Sequence, residues 1–289
     1  MNDQADALRH LIRQQENLRN QKMTRVVTVT SGKGGVGKSN FSLNFALSLQ
    51  KLGCKVLVFD ADIGMANIDV LMGVTSSYNL YHLMKQDKTI WDIIQLGPQG
   101  IHYIAGGSGV AELLYLSDRE LERFEEEIGK LHGEYDVILF DTGAGLSKET
   151  VKFITAAEQT IVVTTPEPTS ITDAYALIKM VKGMEPQVSF RLIVNRASNR
   201  REGTETAEKI ALVARRFLQC DLPSLGIIPD DASVSKAVKR QKPFTLLFPD
   251  CAASASVMSI ARAFLEVPQA AASAGGVKGF LHKLFSRSR

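Results

Sequence analysis

Ser31-Gly32-Lys33-Gly34-Gly35-Val36-Gly37-Lys38-Ser39-Asn40 is the stretch on which the reading of this chain turns. From Gly32 to Ser39 it satisfies the pattern G-x-x-x-x-G-K-[ST]. A loop that wraps phosphate in backbone N–H groups has no room for side chains, so it is built of glycine. Lys38 stands where a side chain reaches the outer phosphates of a nucleotide, and Ser39 where a hydroxyl binds Mg²⁺. The predicted cradle is Gly34, Gly35, Val36, Gly37, Lys38, Ser39 and Asn40. Arg25 to Thr30 reads as a buried strand before it. Phe41 to Leu49 reads as a helix after it, whose positive N-terminal dipole favours phosphate.

Outward from the loop, strands and helices alternate. Lys55 to Asp60 reads as a second strand ending in Asp60-Ala61-Asp62, and Tyr135 to Asp141 as another ending in a carboxylate. Acids at the carboxyl edge of a parallel sheet lie where ligands gather, and could hold Mg²⁺ and orient an attacking water. Asp60 alone could equally be a cap at a strand end. Further strands are read at Ile101–Ala105, Gln159–Thr165, Phe190–Arg196 and from Leu225. Asn195 carries a donor and an acceptor that suit an adenine edge, though asparagine is also a common turn former. Gly53 marks a helix stop. Ser117 and Glu120 form a capping box opening a helix to about His132. Residues 70–100 are expected to hold short helical pieces with Trp91 buried. The alternation predicts one α/β domain over residues 23–266, a mostly parallel sheet with helices on both faces.

The 289 residues carry a net charge of only +3, with 45% hydrophobic and 22% charged residues, an ordinary globular balance. No broad basic face is demanded, so nucleic acid is not an expected partner; Arg200, Arg201, Lys209, Arg215 and Arg216 read as a solvated face. Residues 1–22 are too polar for a signal peptide, and no apolar run reaches membrane-spanning length. The three cysteines, Cys54, Cys220 and Cys251, are scattered and form no C-x-x-C pair, as expected of reduced thiols in the cytoplasm.

Both ends differ from the middle. Residues 3–20 place Ala5, Leu8, Leu11, Ile12, Gln15 and Leu18 on one narrow, mostly apolar face at helical spacing, which fits a groove on a partner or on the domain itself. Residues 267–276 are rich in Ala, Gly and Ser and read as a linker. Residues 277–289 place Val277, Phe280, Leu281, Leu284 and Phe285 on one face, with Lys278, Lys283, Arg287 and Arg289 supplying positive charge. That pattern fits a helix lying on an anionic membrane surface, or one folded back on its own core.

With Lys33 added, K-G-G-x-G-K-[ST] resembles the deviant Walker A loop of the MinD/ParA family of dimerising ATPases. The resemblance covers about residues 24–266 and implies a P-loop NTPase domain using ATP and Mg²⁺. It implies that Lys33 crosses to the partner's nucleotide in an ATP-dependent homodimer. Asp60 to Asp69 resembles that family's switch I, with Asp62 positioning the hydrolytic water and Asp60 supporting the Mg²⁺ shell. Asp141 to Gly145 resembles switch II, with Asp141 at the Mg²⁺ site. The resemblance places Asn195, Arg196, Pro229 and Asp230 on the adenine, and Pro166-Glu167-Pro168 at the dimer face, where a rigid turn is an equal reading. The opening Asp3-Gln4-Ala5-Asp6-Ala7-Leu8-Arg9 looks like the D-Q-A-x-x-L-R motif of the FlhG branch, in which it stimulates the GTPase FlhF. The end resembles the membrane-targeting sequence of that branch and of MinD. The implied protein is a cytoplasmic ATPase that visits the inner face of the cell membrane and regulates flagellar number and placement, with flagellar switch-complex proteins as further partners. A division-site ATPase, a DNA-binding segregation ATPase and a scaffold without turnover are the other readings.

Overall fold

The computed structural model describes residues 24–62, 67–85, 88–107, 117–267 and 276–285. Its strands are β1 (Arg25–Ser31), β2 (Val56–Ala61), β3 (Gln95–Leu96), β4 (His102–Ile104), β5 (Val137–Ala144), β6 (Gln159–Thr164), β7 (Phe190–Ala197) and β8 (Ser224–Pro229). Between them come α1 (Lys38–Lys51), α2 (Ile68–Met72), α3 (Leu80–Lys85), α4 (Ile90–Ile93), α5 (Asp118–Gly129), α6 (Lys148–Ala156), α7 (Pro168–Met184) and α8 (Arg200–Leu218). The chain continues through α9 (Ala232–Lys239), α10 (Phe244–Leu247), α11 (Ala252–Glu266) and α12 (Gly276–Phe285).

The described strands form an eight-stranded sheet in the order β3-β4-β2-β5-β1-β6-β7-β8, with β3 antiparallel to β4 and the other pairs parallel. Parallel neighbours need crossover helices, and these cover both faces. Strand residues alternate between faces. In β5, Val137 and Leu139 join the core under α1 and α11, whereas Ile138 and Phe140 join the core on the opposite face. β1 sits between β5 and β6, so the loop after it opens at the carboxyl edge where the connections diverge to either side.

Local signals mostly act as the sequence suggests. Gly53 takes φ +93° just past α1, and Ser117 and Glu120 close a reciprocal capping box on α5. The basic residues of α8 lie on its exposed face, where Arg201 pairs with Glu205 at 2.7 Å and Arg215 with Asp221 at 3.2 Å. Trp91 is not buried but 45% exposed. Its neighbours Ile90 and Ile93, three apart on α4, take the inward face and turn Trp91 outward. β5 does not end at Asp141 but runs on to Ala144, because Ser31 of β1 pairs with Ala144 and Thr142 Oγ1 donates to the Val29 carbonyl at 3.1 Å.

The largest departure concerns the C-terminal helix. The face expected to meet a membrane is packed on the protein, so the fold-back alternative describes this structure. Val277, Phe280, Leu281, Leu284 and Phe285 are all buried in the core beneath β5 and β1. Phe280 stacks on Phe140 at 4.6 Å and lies 6.2 Å from Phe153 of α6, while Phe285 meets Phe124 of α5 edge-on at 5.7 Å. The Gly276 N–H donates to Glu158 Oε1 at 2.6 Å. Gly276 takes φ +74° and lies against the His132 ring, so the entry to the helix tolerates no side chain. The helix starts at Gly276, at the end of the segment read as linker, and residues 268–275 lie outside the described residues. Five buried apolar side chains contribute roughly 1.5–3 kcal/mol each, and fixing ten residues costs roughly 1–2 kcal/mol each. The terms nearly cancel, so the docked helix is held marginally. Among the described residues no helix is long and apolar enough to cross a membrane.

Phe280→Ala should therefore free α12 rather than unfold the domain. Hydrogen exchange should show the amides of 276–285 opening about tenfold faster while β1 and β5 keep their protection; equal loss in all three would make the helix part of the main cooperative unit.

Candidate functional site

The loop after β1 is anchored from both sides by features that demand glycine. A Cβ on Gly32 would lie 2.2 Å from the carbonyl carbon of Asp173, so the loop rests directly on the backbone of α7. Gly37 takes φ +89° as the N-cap of α1, and a Cβ there would strike the Asn195 amide at 2.4 Å. Asn195 Nδ2 donates to the Val36 carbonyl at 2.8 Å, tying the end of β7 to the loop. Gly34 and Gly35 face open space.

Two cavities meet at this loop and share Gly37 and Asn40. The larger, about 660 Å³, is lined by Gly34, Gly35, Lys38, Ser39 and Asp62 among others. The smaller, about 380 Å³, is lined by Phe41, Asn195, Arg196, Pro229 and Asp230. The sizes and linings suit a phosphate chain in the first and a base in the second. Arg196 takes φ 57°, which carries the chain from β7 around the rim of the smaller cavity.

The charged centre lies at the floor of the larger cavity. Lys38 Nζ contacts Asp141 Oδ1 at 3.0 Å and donates to Ser39 Oγ at 3.1 Å. Ser42 Oγ donates to the same Asp141 oxygen at 2.6 Å. Lys38 is 7% exposed and Asp141 fully buried, so this pair is almost dry. Asp60 faces Asp141 in register across β2 and β5. Its Oδ2 accepts the N–H groups of Asn67 (2.9 Å) and Ile68 (3.1 Å) at the start of α2, and its Oδ1 that of Asp62 (3.2 Å). Asp60 thus also fills the capping role that the sequence left open. Burial pushes its carboxyl up to about 7, the Asp141 charge adds to that push, and the three backbone bonds oppose it.

These residues fit Mg²⁺. Asp141 Oδ2 is buried with no hydrogen-bond partner among the described residues, and it stands beside a second carboxylate whose charge burial disfavours. A dication relieves both, and the hard oxygen donors of Ser39, Asp60 and Asp141 are those Mg²⁺ takes. Among the described residues too few protein ligands converge for a complete cage, and Mg²⁺ commonly keeps waters and phosphate oxygens.

Lys33 points away from that centre. Its Nζ donates to Thr169 Oγ1 at 2.8 Å and to Glu167 Oε2 at 3.2 Å, at the start of α7. Asp62 lies at the end of β2 with Oδ1 about 3.5 Å from where a Cβ on Gly143 would stand. The structure thus gathers the predicted loop, switch and base residues around two joined cavities. Val277, Phe280, Leu281, Leu284 and Phe285 lie on the other face of β5. Asp3, Gln4, Ala5, Leu8 and Arg9 lie outside the described residues, as do Ile63 to Ala66 of the predicted switch I. Sequence reading missed Ser42, three residues after Ser39 on the same face of α1, and the Lys33 contacts to Glu167 and Thr169.

Residues 22–265 match the family described as "ParA: NUBPL iron-transfer P-loop NTPase". The chain belongs to the ParA/MinD family of P-loop NTPases. It is 37% identical over 260 residues to the antiactivator FleN of Pseudomonas aeruginosa, covering 90% of this chain and 93% of that protein. It is 38% identical to the flagellum site-determining protein YlxH of Helicobacter pylori, covering 98% of each. Among solved structures it resembles the septum site-determining protein MinD of Pyrococcus horikoshii complexed with Mg-ADP, with a TM-score of 0.69, 26% identity, and coverage of 84% of this chain and 97% of that one. Members of this family hydrolyse ATP with Mg²⁺, and this chain is such an ATPase. The iron-transfer label of the family has no counterpart among the described residues. The three cysteines form no disulfide, and no group of three His, Cys, Asp or Glu side chains converges there.

Asp141→Ala should leave the Lys38 ammonium buried without its counter-charge. Urea unfolding of the nucleotide-free protein should show a loss of about 3–5 kcal/mol, and a loss below about 1 kcal/mol would mean that Lys38 finds water instead.

Proposed function

We propose that the protein is an FlhG-type nucleotide switch that sets the number and placement of flagella. The supporting observation is the adjacency of Phe140 and Asp141 on β5. Phe140 carries the tail helix on one face of the sheet, and Asp141, on the other, holds Lys38, whose side chain lines the phosphate cavity. A change at the nucleotide therefore reaches the seat of the tail through one peptide unit. The relatives point to the biology, one named as an antiactivator and one as a flagellum site-determining protein.

In the resting subunit Lys33 is held by Glu167 and Thr169 in a pair whose side chains are 39% and 56% exposed. Exposed pairs of this kind are worth about 0–1 kcal/mol, so Lys33 is readily drawn to a stronger anion. When two subunits close face to face on ATP, each Lys33 reaches the other's phosphates and offsets charge developing there, as an arginine finger does. Lys38 leaves Asp141 for the bound phosphates, and Asp62 orients the attacking water. Ser39 and Asp141, with Asp60 beside them, would hold Mg²⁺, which would supply charge neutralisation to the phosphates. Asn195, Arg196, Pro229 and Asp230 hold the base.

Remodelling at Asp141 loosens the seat of α12, and the released helix presents Phe280, Leu281, Leu284 and Phe285 to an anionic membrane. Two such helices on one dimer bind together far more strongly than one. Hydrolysis returns single subunits, tail folded, to the cytoplasm. Residues 1–22 engage and stimulate the GTPase FlhF, and the exposed surface serves flagellar switch-complex proteins.

Co-sedimentation with anionic liposomes should show capture with a slowly hydrolysed ATP analogue and little with ADP. Glu158→Ala removes the acceptor of the Gly276 N–H and should raise capture in ADP severalfold; capture indifferent to nucleotide in the wild type would overturn the switch. A peptide of residues 1–22 should accelerate GTP hydrolysis by FlhF, and an inert peptide would assign the N-terminal segment another task.

A further inference from the structure

Three polar side chains of the first turn or so of α1 reach the charged centre, those of Lys38, Ser39 and Ser42. Lys38 and Ser39 line the phosphate cavity, and Ser42 does not. Ser42 is fully buried, and its hydroxyl lies against Asp141 of β5 instead. A hydroxyl has one proton to give, and two acceptors are within reach of this one. Asp141 Oδ1 is 2.6 Å away and the Lys38 carbonyl 3.1 Å. The short contact to a carboxylate is the stronger bond, so the proton points to Asp141. Ser48, farther along the same helix, shows the other choice. Its hydroxyl donates back to the Asn44 carbonyl at 2.8 Å, the usual bond of a serine inside a helix. Alanine is the better helix former, so the helix alone gives no reason for a serine at position 42.

The bonds on Asp141 are unequally shared. Oδ1 takes both donors, Lys38 Nζ at 3.0 Å and Ser42 Oγ at 2.6 Å. Oδ2 is buried and takes none among the described residues. The last torsion of an aspartate is soft, so its second oxygen is aimed only while the first is fixed. Lys38 is a poor permanent anchor, because its side chain also lines the cavity that phosphate would fill. Once Lys38 turns to phosphate, as in the function proposed above, Ser42 is the donor that remains on Oδ1. Its side chain has a single torsion between backbone and oxygen and no ligand within reach to follow.

We propose that Ser42 is a positioning residue for the Mg²⁺ site. It holds Asp141 Oδ1, so that Oδ2 stays aimed for the dication while Lys38 is engaged by phosphate. Ser42 itself touches neither nucleotide nor metal. The inference rests on the reading of Lys38, Asp141 and Mg²⁺ given above, and it needs neither the dimer nor the membrane.

Binding of a fluorescent ADP analogue to the full chain, in EDTA and across a Mg²⁺ titration, tests this. The ratio of the two affinities is the readout, because a general weakening of the nucleotide site cancels in it. Ser42→Ala should cut the gain in affinity from Mg²⁺ about tenfold and raise the Mg²⁺ needed for half-saturation by a similar factor. Ser42→Thr keeps the hydroxyl and should keep most of the gain. Ser42→Cys stays close to serine in shape but is a weak donor, and should behave as the alanine variant does. A role in packing alone predicts the reverse, with cysteine near the wild type. Urea unfolding of the nucleotide-free variants checks that each is folded, and the alanine and cysteine variants decide the matter even if threonine is too large for the site. A gain from Mg²⁺ unchanged in Ser42→Ala, or one restored by cysteine, would overturn the proposal. Vesicle capture indifferent to nucleotide would overturn the switch and leave these ratios as they are, so the two readings fail separately.

Discussion

A buried ammonium rests on a buried carboxylate at the centre of this sheet, and the rest of the structure follows from that contact. Lys38 opens α1 at the end of the loop after β1, Asp141 belongs to the neighbouring strand, and Ser42 one turn along α1 shares the same oxygen. Removing either partner would leave an uncompensated charge in a dry place. The pair therefore fixes α1 against β5 and holds the loop open. It also places the lysine and the carboxylate where the phosphate and the dication of the proposed switch would compete for them. The second oxygen of Asp141 and the proton-favouring pocket of Asp60 leave room for that exchange.

Strand geometry carries the effect across the sheet. Side chains alternate in direction, so the residue beside Asp141 must face the opposite layer. There Phe140 supports Phe153 and Phe280, a stack linking the helix after the second switch to the C-terminal helix. A stack of three rings tolerates little displacement, because dense packing transmits strain rather than absorbing it. The near balance between apolar burial and chain ordering leaves α12 marginally held, as the proposed switch requires.

The core of the domain was legible because its signals are local and mutually consistent. The glycine loop lies between a buried strand and a helix, and Asp60 and Asp141 follow apolar strand runs, so period and punctuation led to Lys38, Asp60 and Asp141, while the family resemblance led to Asp62. Ser42 escaped because a serine inside a helix carries no pattern of its own, and its role comes from a strand about a hundred residues later. Trp91 was misplaced because size suggested burial, whereas the spacing of Ile90 and Ile93 decided which way α4 faces. The tail was harder still. An amphipathic stripe shows that a helix needs an apolar surface and does not say whether lipid or protein supplies it. Only the rings of Phe140, Phe153 and Phe124, distant in sequence, decide the matter in this structure.

Thr24 and Gly276 are in contact at one corner of the domain, one opening the described core and the other returning to it. Arg25 also donates to the Phe264 carbonyl at 3.2 Å, so the two ends of the ATPase body are neighbours in space as well. Joining them with a short bridge and cutting an exposed turn elsewhere would give a circularly permuted protein with the same sheet and the same cavities.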